Sequence, residues 1–212
     1  MSRLSWSSPW FVFAAIALVY LLTIGLQPFP LDFLLKALPI WVLAWIVFRQ
    51  RTTLRHNWLL AGLLCSSMGD LLLAWNQFVP GLGSFLVAHL FYIAAFVRKP
   101  LFSMPRLALA LATLAVTSAL LVMLLPALGE MTIPVVAYIS VIVVMALCTI
   151  LGKDNHPLVM AGALSFLLSD SMIAIDRFLS PFGLASLFIM ITYYLAQLLI
   201  TRGALKSSNV SC

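Results

Sequence analysis

Four ionisable residues sit inside stretches that are otherwise hydrocarbon: Lys36, Asp70, His89 and Asp170. A charge within a membrane-spanning helix costs about 2.5–3.5 kcal/mol on the insertion scale, so such residues mark proton relays and substrate sites by default. Two carboxyls and an imidazole exchange protons; a lysine among them is a counter-ion or an anion-binding group. A purely structural role for two matched aspartates is the weaker reading. Lys36 can also snorkel to the headgroups, and His89 can be a packing histidine satisfied within the bundle.

The composition requires that these stretches cross a membrane. The chain has 212 residues, 64% hydrophobic and 8% charged, with a mean hydropathy of +1.13. Soluble domains carry about 25% charged residues, and this chain has too few to cover a water-facing surface. The same figures exclude disorder, and three cysteines exclude a disulfide scaffold. Cys65 and Cys148 fall in apolar runs and Cys212 is last; none has metal, redox or prenylation spacing. The net charge of +6 does not indicate nucleic acid, because the basic residues lie scattered in short gaps. No cofactor is expected, and no metal: Asp, Asp and His offer too few oxygen ligands for a hard cation.

A spanning helix needs about 20 mainly apolar residues. Eight such runs are legible, at 10–26, 31–48, 57–75, 80–97, 105–125, 132–151, 157–175 and 184–200, separated by Pro- and Gly-containing gaps. The first follows Arg3 without a small-residue cleavage site and reads as a retained anchor. One side holds Arg3, Arg49, Arg51, Arg55, Arg98, Lys99, Arg106, Lys153, Arg202 and Lys206, ten of the twelve basic residues; the other keeps Lys36 and Arg177. The basic side is cytoplasmic, which puts both termini there and requires an even number of crossings.

An internal repeat organises the runs. At an offset of one hundred, Ala61/Ala161, Gly62/Gly162, Leu64/Leu164, Asp70/Asp170, Ala74/Ala174, Phe78/Phe178 and Gly83/Gly183 are identical. The expected fold is an all-α membrane protein of eight transmembrane helices. It forms a single integral domain over 1–212, with two four-helix halves, about 9–98 and 105–203, related by a parallel pseudo-repeat. Both aspartates then lie roughly 20 Å from the cytoplasmic boundary of a core of about 30 Å, and Lys36 roughly 7–8 Å below the outer one. Helical spacing extends the polar stripes: Ser66, Asp70 and Gln77; His89 and Tyr92; Asp170 and Arg177; Tyr193 and Gln197, beside Tyr194. Converging stripes would form a polar pocket open to the outer leaflet. Ser66, Ser67 and Gln197 also suit helix packing, whereas Tyr193 and Tyr194 lie too deep to be interfacial anchors.

The segments Lys36-Ala37-Leu38-Pro39, Ser67-Met68-Gly69-Asp70, His89-Leu90-Phe91-Tyr92, Gly162-Ala163-Leu164-Ser165-Phe166 through Ser169-Asp170, and Tyr193-Tyr194-Leu195-Ala196-Gln197 resemble the motifs of the YhhN family. That family includes bacterial and animal lysoplasmalogenases. The resemblance covers the second to fourth and the seventh to eighth runs in order and spacing; the others match only as apolar spans. Ala37 stands where proline is common in bacterial members, a change at a helix start. The resemblance implies a multi-pass protein of the bacterial inner membrane that takes a lysophospholipid from the bilayer. It would hydrolyse the vinyl-ether bond of lysoplasmenylethanolamine or lysoplasmenylcholine to a fatty aldehyde and a glycerophospho-base. By position it points to Asp70, Asp170 and His89 as catalytic, and to Lys36, Tyr92, Tyr193, Tyr194 and Gln197 around the substrate.

Vinyl-ether hydrolysis protonates carbon and leaves an oxocarbenium ion, so it needs one protonated acid and one negative charge. Two carboxyls can divide that work, titrating as a pair; which aspartate is the acid stays open. His89 would relay the proton or orient water, and Lys36 with Arg177 would hold the lipid phosphate. Two rivals have features to be weighed. An intramembrane aspartyl protease is expected to show Tyr-Asp and Gly-x-Gly-Asp, but here the aspartates follow Gly69 and Ser169. A proton-coupled lipid or small-molecule transporter also uses acidic pairs and repeats, yet only Pro39 hints at a broken helix.

Overall fold

The computed structural model describes residues 8–207; Arg3 and Cys212 lie outside the described residues. Among these the chain is all-helical, without strands. The order is α1 (Ser8–Thr23), α2 (Asp32–Gln50), α3 (Leu54–Ala74), α4 (Phe78–Phe96), α5 (Met104–Leu128), α6 (Thr132–Leu151), α7 (Pro157–Phe178) and α8 (Ala185–Ser207), with single 3₁₀ turns after α1 and α5.

Local chemistry sets the ends. The Thr53 side chain caps α3 by accepting from the His56 N–H, and His56 Nδ1 accepts from Thr52 N at 3.2 Å. His156 starts α7 by accepting from Leu158 N at 3.1 Å, with Pro157 in the first turn, where its missing N–H costs nothing. α3 stops at Asn76, whose φ is 58°; asparagine tolerates this left-handed conformation better than most residues. Gln77 N then reaches Leu72 O at 2.8 Å and closes the helix end. The stripe Ser66–Asp70–Gln77 expected from helical spacing is therefore interrupted, because the helical period no longer applies beyond Ala74. α2 runs without a break through buried Pro39.

Six segments are long and apolar enough to cross a membrane. One is the run Met104–Leu151, which contains both α5 and α6. α2, which carries Asp32, Lys36 and Arg49, is not among the six. The architecture is that of a multi-pass membrane protein, with large apolar side chains such as Phe11, Leu22, Met104 and Ile133 facing outward, as a hydrocarbon solvent permits.

Close helix contacts rest on small residues, as lipid-embedded bundles require. A Cβ on Gly62 would stand 2.3 Å from the Tyr92 ring, and one on Gly69 2.5 Å from the Phe85 ring, so α3 meets α4 through aromatic side chains seated on glycine. α7 meets α8 at Gly162, where a Cβ would lie 2.8 Å from Ile200 N and 2.9 Å from Ala196 O. Backbone cannot retreat as a side-chain tip can. Gly162→Ala should therefore destabilise the bundle by roughly 1–3 kcal/mol in denaturant titrations of detergent-solubilised protein. Gly83→Ala, where nothing lies within 4 Å, should leave the midpoint unchanged or slightly raised.

Candidate active site

The site is built where α2, α3, α7 and α8 converge. Lys36, in the second turn of α2, places Nζ 3.8 Å from Asp70 Oδ1 on α3; the lysine is 16% exposed and the carboxyl 2%. Tyr193 on α8 donates its hydroxyl to Asp70 Oδ2 at 2.6 Å. Tyr194 donates to the Lys36 carbonyl at 2.8 Å, fixing α2 against α8, and Tyr20 packs edge-on against it at 5.9 Å. Nearby, Trp41 Nε1 donates to Ser67 Oγ, a further tie between α2 and α3. Asp70 is thus a carboxylate with a counter-ion and a phenolic donor, the partners a buried charge needs.

Asp170 has a different environment. Tyr138 on α6 donates its hydroxyl to Asp170 Oδ2. Both residues line a narrow cleft whose other walls are mainly apolar, among them Phe78, Leu82, Phe85, Ile142 and Leu167, with Thr117 and Ser171. His89 is fully buried, edge-on to Phe166 at 4.6 Å and to Tyr138 at 5.4 Å. Neither of its ring nitrogens has a hydrogen-bond partner among the described residues. A buried polar group in that state asks for a water or a substrate atom.

No hydrogen bond among those described joins the two carboxyls. Between their tyrosines lies an aromatic cluster: Phe166 meets Tyr193 at 5.4 Å and Phe85 at 6.2 Å, and Phe85 meets Tyr193 at 5.9 Å. Tyr92 and Gln197 are bonded to each other, the Tyr92 hydroxyl donating to Gln197 Oε1 at 2.8 Å, with Ser66 Oγ 3.4 Å from the same hydroxyl. They tie α3, α4 and α8 together and line neither cavity described here. Arg177 lies over the Phe78 ring at 3.8 Å. With Lys36 it lines a polar cavity of about 440 Å³ at the α2–α3–α7–α8 end, whose wall also carries Asp32, Asp176, Tyr20 and Asn76.

This polar cavity and the apolar cleft share Leu73, Phe78 and Ile173 in their walls. Two cations thus stand next to a largely apolar slot holding Asp170, while Asp70, paired with Lys36, lines neither cavity. Such a shape suits an amphiphile, and the carboxyls can exchange protons with it. Among the described residues, no three His, Cys, Asp or Glu are grouped closely enough to hold a metal ion. Tyr138, Asp32 and Asp176 are the residues that sequence reasoning missed. Tyr138 carried the signal that picked out Tyr193 and Tyr194, a tyrosine in mid-span.

Known proteins resemble the chain over most of its length. The model of the YhhN family matches residues 31–204, which hold every site residue named above except Tyr20. The chain is 40% identical over 176 residues to the human lysoplasmalogenase TMEM86B, covering 82% of this chain and 75% of that protein. To the rat lysoplasmalogenase TMEM86B it is 37% identical over 209 residues, 97% of this chain and 86% of the other. To a lysoplasmalogenase of Mycobacterium tuberculosis it is 39% identical over 157 residues, 70% and 60%. No solved structure matches. With its full set of buried polar residues inside the matched segment, the chain belongs to the YhhN family.

Proposed function

We propose that the protein is a lysoplasmalogenase that hydrolyses the vinyl-ether bond of lysoplasmenylethanolamine or lysoplasmenylcholine, releasing a fatty aldehyde and the glycerophospho-base. The names of its relatives support this activity. The observation that carries it is the polar cavity with Lys36 and Arg177 abutting the apolar cleft with Asp170. A lysolipid phosphate held by the two cations leaves its alkenyl chain to enter the cleft, with the ether bond near the junction. One carboxyl protonates the outer vinyl carbon. The other, ionised, stabilises the oxocarbenium ion, and water adds to the carbon bearing oxygen. The hemiacetal then collapses as its hydroxyl proton moves to the glycerol oxygen; one water is consumed. His89, with two unpartnered nitrogens, holds that water. Tyr193 and Tyr194 set Asp70 and Lys36 in place, and Tyr92 with Gln197 keeps α4 on α8 behind them.

The same reading takes the chain as one integral membrane domain crossing eight times, in two halves of parallel sense. Residues one hundred apart support it: Arg55 Nη2 donates to Asn155 Oδ1 at 3.2 Å, the Phe78 and Phe178 rings meet at 6.0 Å, and His56 and His156 each accept a backbone N–H at the start of their helix. The packing supports it too, for α4 lies on α6 as α8 lies on α2. The basic end is drawn together by Arg106, which donates to the Ile150 and Gly152 carbonyls, and by Lys153 N on Lys99 O at 3.0 Å. That end faces the cytoplasm of a bacterial inner membrane with both termini, and the Lys36–Arg177 cavity faces outward.

Membranes containing the protein should release aldehyde from a lysoplasmalogen and none from its saturated alkyl-ether counterpart. Asp70→Asn and Asp170→Asn should each lower the rate about 10²–10⁴-fold; wild-type rates in both would remove the paired-acid mechanism, and no aldehyde from the parent protein would remove the activity itself. Arg177→Gln, remote from the reacting carbons, should raise KM several-fold with kcat within about twofold, because it deletes binding common to ground and transition states. A fall in kcat alone would place Arg177 elsewhere in the cycle.

A further inference from the structure

The two halves present different partners to their aspartates. In the first, α2 brings Lys36 to Asp70 on α3; in the second, α6 brings Tyr138 to Asp170 on α7. The partners lie 34 residues before their aspartate in one half and 32 in the other, within two residues of the repeat offset. One half therefore supplies a cation and the other a neutral phenol.

The consequence is electrostatic. Asp70, with Lys36 and the Tyr193 hydroxyl, is at home as an anion. Asp170 has no cation within ion-pair distance among the described residues, and Arg177, two helical turns further along α7, is engaged on the Phe78 ring. A lone carboxylate in an apolar cleft is far more costly than the neutral acid. We infer that Asp170 is the proton donor of the reaction and that Tyr138 is its positioning residue, an assignment resting on the lysoplasmalogenase reading. The Tyr138 hydroxyl occupies Oδ2, so the transferable proton sits on Oδ1. That proton forms the new C–H bond with the vinyl π pair and leaves Asp170 as a carboxylate. Tyr138 now donates to a charge, which strengthens the bond as charge develops. Asp70 supplies the negative charge that the oxocarbenium ion needs. The adding water returns its proton to Asp170, restoring the acid for the next turnover. His89, edge-on to the Tyr138 ring, keeps that ring from swinging out of line.

Tyr138→Phe removes one oxygen and keeps the ring contacts. Steady-state turnover of lysoplasmenylethanolamine should show kcat lowered about 30-fold with KM within about twofold, the signature of an interaction made in the transition state. In the Asp170→Asn background the same change should add nothing, since it acts through Asp170. Infrared spectra of the membrane-reconstituted protein provide a readout independent of activity. The protonated-carboxyl C=O band should vanish in Asp170→Asn, persist in Asp70→Asn and move to higher frequency in Tyr138→Phe. Should Asp170→Asn not accumulate, the Tyr138→Phe band shift decides alone. A band lost in Asp70→Asn instead, an unchanged kcat in Tyr138→Phe, or a parallel loss of kcat and KM without a band shift each overturn the assignment. Failure of the parent protein to release aldehyde would overturn the activity while leaving the infrared readings interpretable.

Discussion

A carboxyl group placed in hydrocarbon must find its partners within the protein, because no water is there to supply them. Much of this bundle answers that demand. Asp70 draws Lys36 from α2 and Tyr193 from α8, and Tyr194, next to Tyr193, fastens the backbone that carries the lysine. Three helices are thereby held in one register by a single carboxyl group. Dispersion alone would not choose that register, since apolar faces slide past one another at little cost. The glycines at Gly62 and Gly69 then let α3 approach α4 closely enough to seat the Tyr92 and Phe85 rings, and Tyr92 passes the constraint on through Gln197 to α8.

Much of the fold was legible in the sequence because the bilayer leaves few options: every crossing must be a long apolar helix or part of a closed barrel. The run at 132–151 coincides with α6, and those at 31–48 and 80–97 fall within two residues of α2 and α4. Departures occur where the bilayer no longer dictates composition. α8 continues past residue 200 to Ser207, carrying Arg202 beyond the hydrocarbon to sit 4.7 Å over the Trp10 ring. Gln77 was assigned to a helical face that ends at Ala74, since periodicity gives no warning of the left-handed turn at Asn76.

The site was legible in its residue types and less so in its pairings. Depth and spacing identify Lys36, Asp70, His89 and Asp170, but which side chains meet depends on the rotation of each helix about its axis, and a helix that is apolar all round does not record its rotation. α6 is such a helix. Tyr138 on it is no more conspicuous than Tyr92, yet one bonds Asp170 and the other bonds Gln197. Tyr92 bonds Gln197 Oε1, a tie of the kind polar residues often make in membrane bundles, while the buried Gln197 Nε2 has no hydrogen-bond partner among the described residues.

In the proposed reading a repeated bundle supplies the two carboxyls, but identical halves would make poor chemistry. Two aspartates each paired with a lysine would both be anions with no proton to give; two aspartates each in an apolar cleft would both be neutral, with no charge to offer a cation. Acid catalysis through an oxocarbenium ion needs one of each. The minimal way to obtain that from a repeated bundle is to change the residue on the preceding helix that faces each aspartate. In the proposed reaction Lys36 on α2, beside Asp70, and Tyr138 on α6, bonded to Asp170, provide that difference. In the same proposal the surroundings order the substrate: Lys36 lines the cavity that Arg177, Asp32 and Asp176 make polar, and Tyr138 lines the slot that Leu82 and Ile142 make apolar. In the proposed reaction, headgroup recognition draws on Lys36 from the first half and Arg177 from the second, and proton donation on Asp170 with Tyr138, so the labile bond lies where the two cavities meet.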